Sequence, residues 1–410
     1  MKTSLIIILL FTFNISFSKD SGLNNVIGKT HTIQSKALNE SREIKVYLPE
    51  SYDKSEKDYP VVYIIDGQKF FLYGVSLQRL FNSNNDTPDF IVVGITNASP
   101  ARFGHFSSGA SQFIQFIEKD VLSFVDKNYR TSQTRLLFGW EYAGALAVQI
   151  MTEFPQLFSA YIVASPYPII IEDSTNKSRL SRLKEVLSKA PNFDPFLFFS
   201  VSQNEEVVND GTEGLNSLLL EKSPKSMDWS YKILMDEEHS STPFSTLYQG
   251  IKKYYATYPV LYFQTLDKYH QAGGMQYVED YYKTRAKKYG FSPEILSWTK
   301  YTLVRSAMRG DDFIQFESLM KVFNSNAFLS ELRESRTYEI AEYYEKNKKF
   351  NKAIDIYTLL MNKSPDSVQP LISLGDVYTL LKDKSKADDY YSKAEELKVQ
   401  KTTKNTLNEN

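Results

Sequence analysis

The stretch RLLFGWEYAG, residues 135–144, decides the fold of this chain. It begins with the strand-like run RLLF, and a helical pattern begins at Tyr142, so the chain must turn sharply between them. Gly139 and Ala143 stand two residues before and two residues after Glu141. In such a tight turn, larger side chains at those two positions would collide. The stretch therefore predicts a strand, a sharp turn with Glu141 at its tip, and a helix.

Strand-like and helix-like segments alternate on both sides of this turn. Continuous apolar runs suit parallel strands that are covered on both faces. These runs are Val61–Ile65, Phe90–Gly94, Arg135–Phe138, Ala160–Val163, Phe196–Phe199 and Tyr231–Leu234. Before them, Thr30–Ser35 and Arg42–Leu48 predict an antiparallel hairpin. Helices are predicted at Ser111–Tyr129, Tyr142–Glu153 and Ser245–Tyr254. The alternation predicts an α/β domain with a mostly parallel sheet and helices on both faces.

From residue 259 onward the predicted strands stop and amphipathic helices follow. Small and aromatic residues recur here with a period of 34 residues: Ala341, Tyr344, Ala353 and Tyr357 return as Gly375, Tyr378, Ala387 and Tyr391. Small residues where helices cross, with aromatic residues between them, resemble the tetratricopeptide repeat. We expect an all-α repeat domain over residues 259–400, with a face on which a protein partner could dock, and a frayed tail over residues 401–410.

Composition and the N-terminus narrow the function classes. The 48 Lys and Arg residues balance 49 Asp and Glu residues, which argues against a nucleic-acid partner. The chain has no cysteine, which excludes disulfides, cysteine-bound metals and a lipid-modified N-terminal cysteine. His31, His105 and His270 are scattered singly, so no metal site and no cofactor are predicted. Residues 1–18 have the pattern of a cleavable secretory signal, which predicts a secreted or periplasmic protein with no membrane span after its removal.

Residues 28–256 resemble the esterase D and enterochelin-esterase branch of the α/β-hydrolases. The matching segments are Tyr59–Gly67, Phe113–Tyr129, the sharp turn and Pro155–Pro166. The resemblance implies an α/β-hydrolase domain over residues 19–258 and a small-molecule ester or a siderophore-like compound as ligand. Gly139, Ala143 and Gly144 match the small residues of the family's nucleophile elbow. One position departs from the family, because Glu141 stands where the family has its nucleophilic serine.

The resemblance also implies the other site residues. His239, which follows the last predicted strand, matches the catalytic histidine, and Glu205 matches the acid, with Glu206 as a rival. The oxyanion hole would use the backbone N–H of Tyr142 and one from the loop at Gln68. The order of turn, acid and histidine along the chain is the hydrolase order.

Glu141 leaves three interpretations open. The site could still hydrolyse esters by serine-type chemistry, or Glu141 could act as a carboxylate nucleophile together with His239 and Glu205. Alternatively the pocket is not catalytic, with a Glu141–His239 ion pair filling it. A carboxylate that attacks an ester gives an anhydride and expels an alkoxide poorly, because it is weakly basic. We therefore expect a degenerate esterase that serves as a binding or scaffold module, and an active carboxylic-ester hydrolase is the alternative.

Overall fold

The computed structural model describes residues 25–97, 100–173 and 175–408. Within it the chain divides into two compact units. The first holds the described residues up to Asn84 and Pro88–Tyr254, and the second holds Asn85–Thr87 and the described residues from Tyr255 onward. The predicted signal segment, residues 1–18, lies outside the described residues. Along the described ranges, no helix is both long enough and apolar enough to cross a membrane.

The first unit is built on an eight-stranded sheet with the order β1-β2-β4-β3-β5-β6-β7-β8. The strands are β1 Lys29–Ser35, β2 Glu40–Tyr47, β3 Tyr59–Ile65, β4 Ile91–Ile95, β5 Thr131–Trp140, β6 Ala160–Ala164, β7 Phe196–Ser202 and β8 Trp229–Leu234. β1 and β2 form the predicted hairpin, and β2 also pairs antiparallel with β4. All other pairs are parallel. The predicted α/β class with a mostly parallel sheet is confirmed, and the carboxyl ends of β3 to β8 meet at one edge.

Helices cover the sheet. They are α1 Gly67–Asn84, α2 Arg102–Phe106, α3 Ala110–Gln115, α4 Ser123–Asn128, α5 Tyr142–Glu153, α6 Arg179–Lys189, α7 Glu206–Lys222 and α8 Thr242–Tyr254. Short 3₁₀ turns lie at Tyr52–Lys54 and Pro155–Leu157. The central strands β3, β4 and β6 are buried along nearly their whole length, as expected for strands covered on both faces.

The predicted helix at Ser111–Tyr129 is not a regular α-helix. A π-helical segment, Phe116–Leu122, separates α3 from α4. Its buried residues are Phe116 with Ile117 and, five positions later, Val121 with Leu122. The i→i+5 bonding of a π-helix places residues with this spacing on one face. The apolar spacing therefore explains why the α-helix is interrupted here.

The second unit is all-α over its described residues. Its helices are α9 Leu266–Ala272, α10 Gly274–Tyr289, α11 Ser297–Arg309, α12 Phe313–Val322, α13 Ser325–Glu331, α14 Glu334–Lys346, α15 Phe350–Lys363, α16 Gln369–Leu380 and α17 Lys384–Asn408. A Cβ atom on Gly375 would lie 2.6 Å from the ring of Tyr391, so α16 and α17 cross where the sequence places a small residue. The last helix extends to Asn408, into the stretch for which we predicted a frayed tail. The likeness to tetratricopeptide repeats stays a prediction.

Candidate active site

A strained turn places Glu141 at the carboxyl edge of the sheet. β5 ends at Trp140, α5 begins at Tyr142, and Glu141 between them has φ 56° and ψ −121°. Non-glycine residues adopt such a conformation rarely, and mostly where the surroundings enforce it. A Cβ atom on Gly139 would lie 2.3 Å from the carbonyl oxygen of Ala143, which explains why this flank must be glycine. The backbone thus has the geometry that presents the residue at the tip.

The side chain of Glu141 forms an ion pair with Arg102. Nη1 of Arg102, which is on α2, donates to Oε2 of Glu141 at 3.2 Å. The same guanidinium clamps Asp66, the residue after β3, through Nε at 3.0 Å to both carboxylate oxygens and through Nη2 at 2.9 Å. Burial opposes the charge of Arg102, but hydrogen bonds and charges from Asp66 and Glu141 raise its pKa above the usual value. The single positive charge of Arg102 is therefore shared by two carboxylates, with three of its four contacts on Asp66 and one on Glu141.

A second pair joins His239 to Glu205. Nδ1 of His239 lies 2.8 Å from Oε2 of Glu205. The other oxygen, Oε1, accepts from the hydroxyl of Ser165 at 2.8 Å and from the backbone N–H of Ser202 at 3.0 Å. Because a carboxylate only accepts hydrogen bonds, this contact places a proton on Nδ1 and leaves Nε2 as an acceptor in the neutral ring. Of the two candidates for the acid position, Glu205 contacts His239, whereas Glu206 is exposed at the start of α7.

One part of the non-catalytic interpretation, the ion pair between Glu141 and His239, is wrong. We considered a Glu141–His239 ion pair that fills the pocket, but among the described residues Glu141 pairs with Arg102 and His239 pairs with Glu205. The basic partner of Glu141 is the first residue of α2, and the basic partner of Glu205 lies in the loop between β8 and α8. The two pairs consequently form two separate polar clusters at the same sheet edge.

Trp140 connects these two clusters. Its Nε1 donates to the carbonyl of His239 at 3.2 Å, and the two rings lie 4.7 Å apart. The guanidinium of Arg102 lies 5.9 Å from the centre of the Trp140 ring. These contacts hold the histidine loop against the turn that carries Glu141.

The backbone N–H groups that we predicted as oxyanion donors lie in the first turns of two helices. Tyr142 is the first residue of α5 and Gln68 is the second residue of α1. Backbone N–H groups in the first turn have no acceptor inside their own helix. The side chain of Gln68 holds its loop in place, because Oε1 accepts from the backbone N–H of Asn97 at 2.9 Å and Nε2 donates to the carbonyl of Asn97 at 3.0 Å. The roles of Tyr142 and Gln68 stay predictions.

A cleft of about 790 Å³ lies beside the turn. Its walls come from α2 and the following turn, from α5 and from the segment between β6 and α6, and they include Phe103, Tyr142, Gln149, Pro168, Ile171 and Arg179. This is a volume in the range of small-molecule sites. In the described part of the chain, no group of three His, Asp or Glu side chains could hold a metal ion.

Arg102 and Asp66 are the site residues that the sequence did not assign. Asp66 stands in the segment that resembles the family, but nothing in the sequence points to Arg102. It lies 36 positions from Asp66, on the five-residue helix α2. Its pairing depends on the fold alone.

The model of the family described as "Putative esterase" matches residues 35–244, which is more than half of the chain. The chain belongs to this esterase family. The predicted resemblance to esterase-like α/β-hydrolases is thereby confirmed.

Individual relatives of this chain are distant. Over 143 residues the chain is 28% identical to the uncharacterized protein YjcH of Bacillus subtilis, a match that covers 32% of this chain and 59% of YjcH. Over 158 residues it is 25% identical to the ferri-bacillibactin esterase BesA of Bacillus subtilis, covering 31% of this chain and 55% of BesA. The chain thus spans less than two thirds of these relatives. An IroE-like serine hydrolase from Shewanella oneidensis shares the fold, with a TM-score of 0.54 and 22% identity over 72% of this chain and 99% of that one.

Proposed function

We propose that this member of the esterase family is an exported, degenerate esterase that binds a small-molecule ester or a siderophore-like ligand without hydrolysing it. The observation that supports this proposal is the carboxylate of Glu141 at the tip of the elbow, where it is paired with Arg102 at 3.2 Å. The helical unit would add a docking face for a protein partner. Export rests on the signal pattern of residues 1–18.

The chemistry of the carboxylate argues against turnover. A serine attacks an acyl carbon after histidine removes its proton, and the resulting ester is then cleaved by water. The side chain of Glu141 has no hydroxyl for a histidine to activate, and attack by its carboxylate would form an anhydride while it expels an alkoxide. The ion pair with Arg102 further reduces the electron density on the attacking oxygen. Binding groups around the turn do not depend on the lost hydroxyl.

One observation favours the alternative, an active carboxylic-ester hydrolase that uses Glu141, His239 and Glu205. The contact between His239 and Glu205, at 2.8 Å, has the geometry of a histidine and its orienting acid. With Nε2 of His239 left as an acceptor, the pair could still serve as a general base. The geometry of this pair is compatible with a working general base. An activity measurement therefore has to decide between the two functions.

The class of ligand follows from the family and from one relative. The name of BesA describes an esterase of ferri-bacillibactin, so an ester of an iron-carrying small molecule is a reasonable first ligand to test. The cleft of about 790 Å³ beside Tyr142 offers room for such a fragment.

The test compares the natural protein with Glu141→Ala. We expect neither protein to react with a fluorophosphonate probe, which labels reactive serines, and neither to hydrolyse an aryl acetate above the buffer rate. A natural protein that turns over the ester, with the activity lost in Glu141→Ala, would establish the alternative and overturn the proposal. Labelling at a serine would overturn it as well.

A further inference from the structure

Arg179 differs from the other cations of the cleft because no carboxylate contacts it. Its guanidinium donates to three neutral carbonyl groups: Nε to Oε1 of Gln149 at 3.1 Å, Nη1 to the backbone of Pro168 at 3.1 Å, and Nη2 to the backbone of Phe106 at 2.7 Å. Among the described residues it forms no ion pair. A guanidinium has five N–H groups, so two remain beyond these three bonds.

The neighbouring charges are already paired. Arg182 pairs with Asp173, and Lys177 pairs with Glu185 at 2.7 Å. Glu153 accepts a hydrogen bond from Gln149 at 3.1 Å, and its charge reaches Arg179 only through space. Glu172, also in the wall, is exposed to solvent. Among the described basic residues that line the cleft, Arg179 is therefore the one without a carboxylate in contact.

Burial makes this charge costly. Desolvation, together with the like charge of Arg182, lowers the pKa of Arg179, while Asp173 and Glu153 raise it only in part. A partly buried cation that is hydrogen-bonded to neutral carbonyls alone would gain from an anion beside it. Within the described ranges, no carboxylate is in contact with this guanidinium, and Asp173 and Glu153 act on it only through space.

The rest of the cleft is suited to an apolar body. Phe103 exposes 59% of its surface and Ile171 exposes 54%. The ring of Phe103 packs edge-on against Tyr142 at 5.2 Å, and Tyr142 packs in the same way against Tyr167 at 5.7 Å. Edge-to-face rings of this kind form a platform for a further flat or aliphatic group.

We propose that the cleft binds a small organic anion, with its carboxylate on Arg179 and its apolar body against Phe103 and Tyr142. The carboxylate takes the remaining N–H groups of the guanidinium and supplies the missing counter-charge. The inference rests on the proposed function only in using the same cleft for binding, and it holds whether or not an ester is cleaved next to it.

Arg179 also ties α5, α2 and the segment at Pro168 together, so its replacement can affect folding. The test therefore begins with the natural full chain and a matched pair of ligands, 2-naphthoate and its neutral analogue 2-naphthamide. Titration calorimetry should show that naphthoate binds at least about tenfold more tightly. Equal affinities, or no binding of naphthoate, overturn the proposal without any variant.

Variants then locate the anion. Arg179→Gln should remove the preference for naphthoate over naphthamide, while Lys184→Gln, which removes the same charge from an exposed position of α6, should keep it. Phe103→Ala should weaken both ligands about equally, because the exposed ring contacts only their shared body. Should Arg179→Gln fail to fold, as seen in its thermal melt, Phe103→Ala still decides the site: unchanged binding of both ligands contradicts the proposal. Ester hydrolysis is measured separately from ligand binding. Hydrolysis by the natural protein would contradict the proposed function but not the anion site.

Discussion

Arg102 joins the carboxylate of Glu141 to that of Asp66, with its Nη1 at 3.2 Å from one and its Nη2 at 2.9 Å from the other. The two acids are not equivalent. The side chain of Asp66 is fully buried, whereas that of Glu141 is 25% exposed. A buried charge that loses its partner is costly, and a partly exposed one can be solvated. In the folded protein the buried Asp66 therefore requires Arg102, whereas the partly exposed Glu141 does not.

The first prediction tests this difference. Arg102→Met should lower the free energy of unfolding by about 3 kcal/mol, because it leaves Asp66 as an unpaired buried carboxylate. Glu141→Gln should change it by no more than about 1 kcal/mol, since the amide can still accept from Arg102. Urea unfolding of the two variants beside the natural protein measures both values. Equal losses would show that the two carboxylates depend on Arg102 to the same degree.

The second prediction concerns the flank of the elbow. Gly139→Ala should cost about 2 kcal/mol or more, because its new methyl group would lie 2.3 Å from the backbone oxygen of Ala143. Gly104→Ala is the matched control, since a Cβ atom there meets nothing within 4 Å. In the short helix α2 that control should be neutral or slightly stabilising. Thermal melts of the two variants would contradict the tight turn if both were equally stable.

The elbow could be predicted from sequence because its requirements are local. Within ten positions the sequence has a strand, a glycine, the tip residue and a small residue. This pattern restricts the backbone at the tip to one conformation, and Glu141 adopts it with φ 56°. The pairing of Glu205 with His239 is expected from the family resemblance, and in the structure both residues follow parallel strands whose carboxyl ends share an edge. The choice between Glu205 and Glu206 needed the structure, since neighbouring residues follow the same strand.

Other features depend on contacts that no local pattern records. Arg102 reaches Asp66 and Glu141 across 36 and 39 positions of the chain. Arg179 has its partners on three different elements. The π-helical segment is an intermediate case. The five-residue spacing of its apolar pairs is visible in the sequence, but the sequence alone predicts one continuous helix there.

The third prediction is a pH dependence that involves His105. Burial and the charge of Arg42 lower its pKa below the usual 6.5, and Glu40, which lies 3.6 Å from Nε2, opposes them. The unfolded chain therefore binds this proton more readily than the folded one, so stability is complete above pH 6.5 and falls as the pH drops through the lower, folded pKa.

His105→Gln removes this titration, and its amide could still donate to Oδ1 of Asn97, which His105 Nδ1 contacts at 2.8 Å. Between pH 7.5 and pH 5.5, the natural protein should lose more unfolding free energy than the variant. Urea unfolding at the two pH values gives the comparison, and equal losses would mean that this histidine has an ordinary pKa. The other histidines are common to both proteins and cancel.

The last prediction is that Glu141→Ser creates an esterase. The strained turn at residue 141 would present a hydroxyl, the His239–Glu205 pair at 2.8 Å would remove its proton, and the N–H of Tyr142 would meet the oxyanion. A general base contributes about 10² to 10⁴ in rate, so aryl acetate hydrolysis should rise at least about a hundredfold above the natural protein. Arg102 keeps Asp66 as its partner, so the fold should persist. Glu141→Ala should stay inert, and adding His239→Ala to the serine variant should abolish the gain. A folded serine variant without activity would mean that the oxyanion donors or the histidine no longer face the turn, and that this member retains the family's fold without its latent chemistry.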